Sequence, residues 1–94
     1  TRPMTETKML IGSLSNDLSR VANMMYNKSS SAEIFFREMF RWIKQLDSSS
    51  VKPYIQTILN DIKSHEKQPQ YSEERAETYL MYSILLQNYS LHIQ

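Results

Sequence analysis

The sequence predicts an all-α fold, a small up-and-down four-helix bundle, and three observations lead to this prediction. The 94 residues include one Gly and three Pro, too few for the turns that a sheet protein needs. Three short clusters rich in Ser, Asn, Gln and Pro divide the chain into four segments, each long enough for a helix. Every segment carries apolar residues at helical spacing, and short loops between such segments favour antiparallel neighbours.

Length and composition favour one globular domain that covers residues 1–94. Apolar residues make up 40% of the chain and charged residues 22%, a balance typical of folded proteins. Residues 1–3 precede Met4, so we expect residues 1–4 to be a disordered N-terminus or residues 1–3 to be non-native additions before a start at Met4. We expect a cytoplasmic protein without membrane contact, since no signal peptide is recognisable and the apolar run at 80–93 is too short and polar to span a bilayer.

The first segment, at about residues 5–26, is predicted to be a helix with a narrow apolar stripe. Its apolar residues recur at alternating intervals of three and four, which places them on one face: Ile11, Leu14, Leu18, Val21 and Met25. Small residues lie beside this stripe, namely Gly12, Ser15, Ser19 and Ala22. They would let a neighbouring helix approach closely.

The second segment, at about 31–46, is predicted to begin with a capping box, in which Ser30 and Glu33 each bind a free backbone N–H. Its core residues are Ala32, Phe36, Met39, Phe40, Ile43 and Leu46. With Phe35 and Trp42 on one flank, the apolar arc reaches about 160°, wider than the stripe of roughly 100° that one bundle requires. The opposite side carries a basic stripe of Arg37, Arg41 and Lys44.

The third segment, at about 51–66, is predicted to be capped by Ser50, with Pro53 in the first turn, where a missing N–H has no cost. Its apolar stripe consists of Val51, Ile55, Ile58 and Ile62.

The fourth segment, at about 73–92, is predicted to be capped by Ser72. Acidic residues near its start, Glu73, Glu74 and Glu77, suit the positive end of the helix dipole.

The fourth segment is apolar on nearly all sides, which predicts that it is covered on nearly all sides. One stripe consists of Tyr79, Tyr82, Leu86, Tyr89 and Ile93, and a second, on roughly the other side, consists of Leu80, Ile84 and Leu91. A bundle of this size cannot bury one helix on both sides, so we expect a homodimer in which a second chain covers one of them. We assign the interface to the Tyr-rich stripe together with Phe35 and Trp42. The alternative is that the Tyr rings cover the monomer core while their hydroxyls reach water.

Few residues suggest a catalytic or metal site, and we expect neither enzymatic activity nor a cofactor. Asp61 and His65 are four residues apart on one helix face and are weak candidates for metal ligands. They lack the Glu-x-x-His pattern of metal-binding bundles, and a hydrogen-bonded surface pair near a helix C-terminus explains them better. The chain has no Cys and only one Gly, which excludes thiolate metal sites and argues against glycine-rich phosphate-binding loops.

Three functional hypotheses follow from this sequence. The first is a non-enzymatic interaction module, either a self-associating regulator or an adaptor for another protein. The second is a bundle that binds an apolar ligand in a cavity lined by Tyr79, Tyr82, Trp42, Phe35 and Phe36. The third is a binder of nucleic acid or of an acidic partner through the basic stripe, although a formal charge of +1 gives little support for nucleic acid.

Overall fold

A computed structural model describes residues 4–68 and 71–93, and all regular structure in these ranges is helical. Four helices follow one another: α1 (Met4–Tyr26), α2 (Ser31–Gln45), α3 (Pro53–Ser64) and α4 (Glu73–His92), with a 3-10 turn (Ser48–Ser50) before α3. The all-α prediction is confirmed, and each predicted segment contains one helix. Residues 1–3 lie outside the described part of the chain, whereas Met4 is already helical. Among the described residues, no helix is long and apolar enough to cross a membrane.

Two of the predicted helix starts differ from the structure, and one agrees. The side chain of Ser30 makes no capping hydrogen bond; instead, Ser29 Oγ accepts one from the backbone N–H of Ser31. The α3 helix begins later than expected, with Lys52 as its N-cap, because residues 48–50 form the 3-10 turn. Pro53 lies in the first turn of α3, and Ser72 caps α4 by accepting from the Arg75 N–H, both as predicted.

Helix α1 ends in a backbone conformation that could not be predicted from the residue types. Lys28 adopts the left-handed conformation, with φ of 55°, at a position where Gly is usual. Its N–H donates to the carbonyl of Met25, and the N–H of Ser29 donates to that of Met24. This pair of hydrogen bonds is a Schellman motif, which closes α1 and turns the chain back toward α2.

The core lies around α1, which packs against both α2 and α4. The predicted stripe of α1 is buried along its whole length, as are the predicted core residues of α2 and α3. Contacts show that α1 and α2 are antiparallel and that α3 and α4 are antiparallel. Trp42 of α2 reaches Asp17 of α1 while Phe35 lies near Arg20, and Tyr54 of α3 meets Tyr89 of α4 while Asp61 binds Arg75. Residue 15 of α1 likewise meets residue 87 of α4.

Candidate interaction site on helix α4

The inward side of α4 is part of the core of this chain. Tyr79 and Leu86 are completely buried, and Tyr89 is nearly so. The Tyr79 ring stacks on Phe36 of α2 with 6.1 Å between the ring centroids. Ser83 and Ser90 are also buried on this side, where each hydroxyl donates to the backbone carbonyl three residues earlier. Because these side chains are small, α1 can pack closely against this helix.

The outward side of α4 exposes four large apolar side chains. Met81, Ile84 and Leu91 are 53%, 56% and 61% exposed, and Leu85 is 36% exposed. Single exposed apolar residues are common on protein surfaces, but these four share one side of one helix. The sequence also has no Asp, Glu, Lys or Arg from residue 78 to residue 94. This side of α4 is therefore uncharged, its exposed apolar residues lie within about three helical turns with Asn88 among them, and we call it the α4 outer face.

A shallow groove of about 280 Å³ runs along one edge of the α4 outer face, between α1 and α4. The side chains that line this groove are uncharged and mostly small and polar: Ser15, Asn16 and Ser19 from α1, and Ser83, Ile84, Gln87 and Asn88 from α4. Across its floor, the Ser15 hydroxyl lies 2.8 Å from the side-chain oxygen of Gln87. The groove thus extends the uncharged surface from α4 onto α1.

The accessible side chains of α4 differ from those to which the sequence assigned the interface. Tyr79, Leu86 and Tyr89 are buried within the monomer, while Tyr82 and Ile93 are half-buried against the same core. Ile84 and Leu91 of the second stripe face outward, whereas its third member, Leu80, is half-buried against the core. Two apolar stripes were correctly recognised in the sequence, but their hydrophobicity alone does not determine which one faces inward.

Phe35 and Trp42, the other two predicted interface residues, lie against α1. Both are half-buried next to the core, and the Trp42 indole N–H donates to a carboxylate oxygen of Asp17 at 2.8 Å. Arg20 lies 3.6 Å from the same carboxylate and 5.7 Å from the centre of the Phe35 ring. Asp17 is buried, so these contacts satisfy a carboxylate that would otherwise be costly to remove from water. No signal in the sequence pointed to Asp17, which lies 25 residues from Trp42.

A polar network between α3 and α4 explains why the Tyr-rich stripe faces inward. Asp61 accepts a hydrogen bond from the Tyr82 hydroxyl at 2.7 Å and an ion-paired hydrogen bond from Arg75 at 2.9 Å. The guanidinium of Arg75 also lies over the Tyr79 ring, 4.7 Å from its centre. The polar end of Tyr82 is therefore bound within the chain, and the ring of Tyr79 packs beneath a cation.

The network shifts the pKa values of its members in opposite directions. Burial alone would raise the pKa of Asp61, but hydrogen bonds from Tyr82 and Arg75, together with the Arg75 charge, bring it below the ordinary value of 3.8. Burial and the neighbouring Asp61 carboxylate raise the pKa of Tyr82 to about 12. Both shifts favour an ionised Asp61 bound to a neutral Tyr82 at neutral pH.

The residues proposed as metal ligands are thus held in a protein network. His65 Nδ1 lies 2.9 Å from the backbone carbonyl of Asp61 and 4.0 Å from its carboxylate, whose other oxygen is bound to Arg75 and Tyr82. No group of three or more potential metal ligands occurs among the described residues. Arg75, to which the sequence assigned no role, binds Asp61 in this network although the two residues are 14 positions apart.

The residues proposed to line a ligand cavity are largely in contact with one another or with the core. Phe36 stacks on Tyr79, and the Tyr79 and Tyr82 rings are 6.5 Å apart. Phe35 and Trp42 lie on the α1 side of α2 instead. The five side chains are therefore divided between two helix contacts, which does not favour the ligand-binding hypothesis.

The basic stripe of α2 is exposed, as its position in the helical projection suggests. Arg37 binds Glu33 at 2.6 Å, and Arg41 lies 4.0 Å from Glu38, so two of the three cations have acidic neighbours on the same helix.

Comparisons with known proteins add no functional assignment: no family model, no curated protein and no solved structure matches this chain.

Proposed function

We propose that this protein is a non-enzymatic, self-associating interaction module, and that the α4 outer face is the surface on which a second copy docks. The observation that carries the proposal is the combination of exposed Met81, Ile84, Leu85 and Leu91 with the absence of charge from residue 78 onward. Apolar surface that a monomer leaves in water is stabilised when a partner covers it.

Charge favours a second copy as the partner. In a two-fold dimer the same patch occurs on both sides, so a charged patch would face its own charge. The α4 outer face avoids this repulsion because it has no ionised side chain between its first and last exposed apolar residue. The small polar side chains of the α1–α4 groove would then lie next to the helix of the partner, where their size permits close approach.

A dilution series followed by sedimentation velocity tests the proposal on the wild-type chain and on a matched pair of variants. Ile84→Glu places a charge on the α4 outer face, while Ile34→Glu places the same charge at a comparably exposed position on α2. We expect the wild type and Ile34→Glu to dimerise at the same concentration and Ile84→Glu to remain monomeric. A wild-type chain that stays monomeric at every concentration, or equal dimerisation of both variants, would overturn it.

A further inference from the structure

The basic stripe of α2 forms one wall of a larger cationic groove that the sequence did not reveal. The groove has a volume of about 500 Å³ and lies between α2 and the segment that follows α3. Arg37, Arg41 and Lys44 line one side, while Lys67 and Glu66 come from the other. Four of the eleven basic residues of the chain therefore surround one depression, with one acidic residue in its lining.

The two lysines of this groove have no ionic partner among the described residues. Arg37 binds Glu33, and Arg41 lies 4.0 Å from Glu38 on the same helix. Neither Lys44 nor Lys67 forms an ion pair in the described part of the chain. Both lysines are exposed. Their charges are thus available to carboxylates of another molecule, at little cost in contacts within this chain.

Ile34 adds an apolar contact point beside the groove. It is 64% exposed and lies in a shallow depression with Arg37 and Arg41. Glu33 and Glu38 line the same depression, so its surroundings are charged but mixed in sign. A partner that carries both carboxylates and an apolar side chain could contact Lys44, Lys67 and Ile34 together. We propose that this groove binds an acidic peptide segment of another protein, with carboxylates at Lys44 and Lys67 and an apolar side chain over Ile34.

An acidic peptide fits this surface better than nucleic acid does. Glu33, Glu38 and Glu66 lie among the cations and would repel a continuous row of phosphates. Carboxylates spaced along a peptide can instead lie next to the cations and away from these three Glu side chains. The rings that could stack on bases are not accessible, because Phe36 and Phe40 are buried in the floor. The site is also separate from the α4 outer face, so the inference does not depend on self-association.

The test is a fluorescence-anisotropy titration with a labelled peptide of alternating Glu and Leu, at low and at physiological salt. A peptide with Gln in place of Glu and a labelled oligothymidylate serve as comparison ligands. The protein variants are Lys44→Ala with Lys67→Ala in the groove and, as a control with the same change in net charge, Lys52→Ala with Lys63→Ala. Thermal melting shows whether both double variants are folded.

We expect the Glu peptide to bind, to weaken as salt rises, and to bind roughly tenfold more weakly to the groove variant, which loses two exposed ion pairs. The control variant should bind like the wild type, and the Gln peptide should not bind. Equal losses in the two double variants would overturn the proposal in favour of nonspecific charge. Tighter binding of oligothymidylate would overturn it in favour of nucleic acid, and absence of peptide binding at low salt would overturn it outright.

Discussion

The two sides of helix α4 are similarly apolar but have different surroundings. On the inward side, Leu86 is fully buried and the polar end of Tyr82 is bound to Asp61. On the outward side, Ile84 and Leu91 face water and no charged residue accompanies them. This comparison indicates that the hydrophobic pattern gives the number of helix surfaces that need to be buried. Polar partners such as Asp61 then favour the surface that is buried within the chain itself.

The largest contrast between the two sides is expected from two neighbouring leucines. Leu86→Ala leaves a cavity in the core and should lower the free energy of unfolding by about 2–5 kcal/mol. Leu85→Ala, on the outward side, should change it by less than about 0.5 kcal/mol. Urea unfolding followed by circular dichroism, in dilute solution where association does not contribute, measures both values. Similar losses for the two variants would show that the two sides of α4 are not distinct.

A smaller effect is expected when the polar network of the inward side is broken. Asp61→Asn removes the charge that pairs with Arg75, whose side chain is only 15% exposed, and should cost roughly 1–3 kcal/mol at neutral pH. Because the pKa of Asp61 is lowered in the folded state, its contribution is present above the ordinary pKa and is lost as pH falls through the folded-state value. The difference between wild type and variant should therefore shrink below about pH 4.

Glu38→Gln is the control for this prediction, because Glu38 makes only a long contact of 4.0 Å with the exposed Arg41. We expect it to change the free energy of unfolding at neutral pH by less than about 0.5 kcal/mol. If Asp61→Asn changed the free energy of unfolding as little as Glu38→Gln does, at every pH from 3 to 7, the claim that this network stabilises the contact between α3 and α4 would be wrong.

The smallest effect on the inward side is expected from Tyr82→Phe, which removes one hydroxyl. It should cost about 1 kcal/mol at neutral pH, since Asp61 keeps Arg75 as a partner. The pKa of Tyr82 is raised to about 12, so its contribution is complete below pH 10 and is lost as pH rises toward that value. The variant should thus lose less stability than the wild type in alkaline solution. Tyr54→Phe, at an exposed position, is the control and should change the free energy of unfolding at neutral pH by less than about 0.5 kcal/mol.

The sequence predicts the helices better than it predicts their contacts. The heptad spacing from Ile11 to Met25 correctly identifies the buried face of α1, because residues at intervals of three and four lie on the same side of a helix. The capping box at Ser30 failed since Ser29 takes the capping contact after the left-handed turn at Lys28. Such competition between adjacent serines depends on backbone geometry that residue types do not specify.

Pairings between distant residues were the part that the sequence could not supply. Asp17 meets Trp42, and Asp61 meets Arg75, through the packing of helices rather than through spacing within one helix. The second pairing joins α4 to α3 on its inward side, and hydrophobicity alone does not identify the side that is left exposed. The sequence has no Asp, Glu, Lys or Arg from residue 78 onward on either side of α4, so charge could not have distinguished the two sides either.

Cysteine cross-linking is the most direct test of the claim that the α4 outer face contacts a second copy. The chain has no Cys, so the single variants Ile84→Cys, Asn88→Cys and Leu91→Cys each carry one thiol on this face, and Lys63→Cys carries one on α3. Residues near a two-fold axis meet their own counterparts, close enough for a disulfide. We predict that under mild oxidation at least one α4 variant forms covalent dimers while Lys63→Cys stays monomeric. Monomers in all four, or equal dimer yields in all four, would contradict the account.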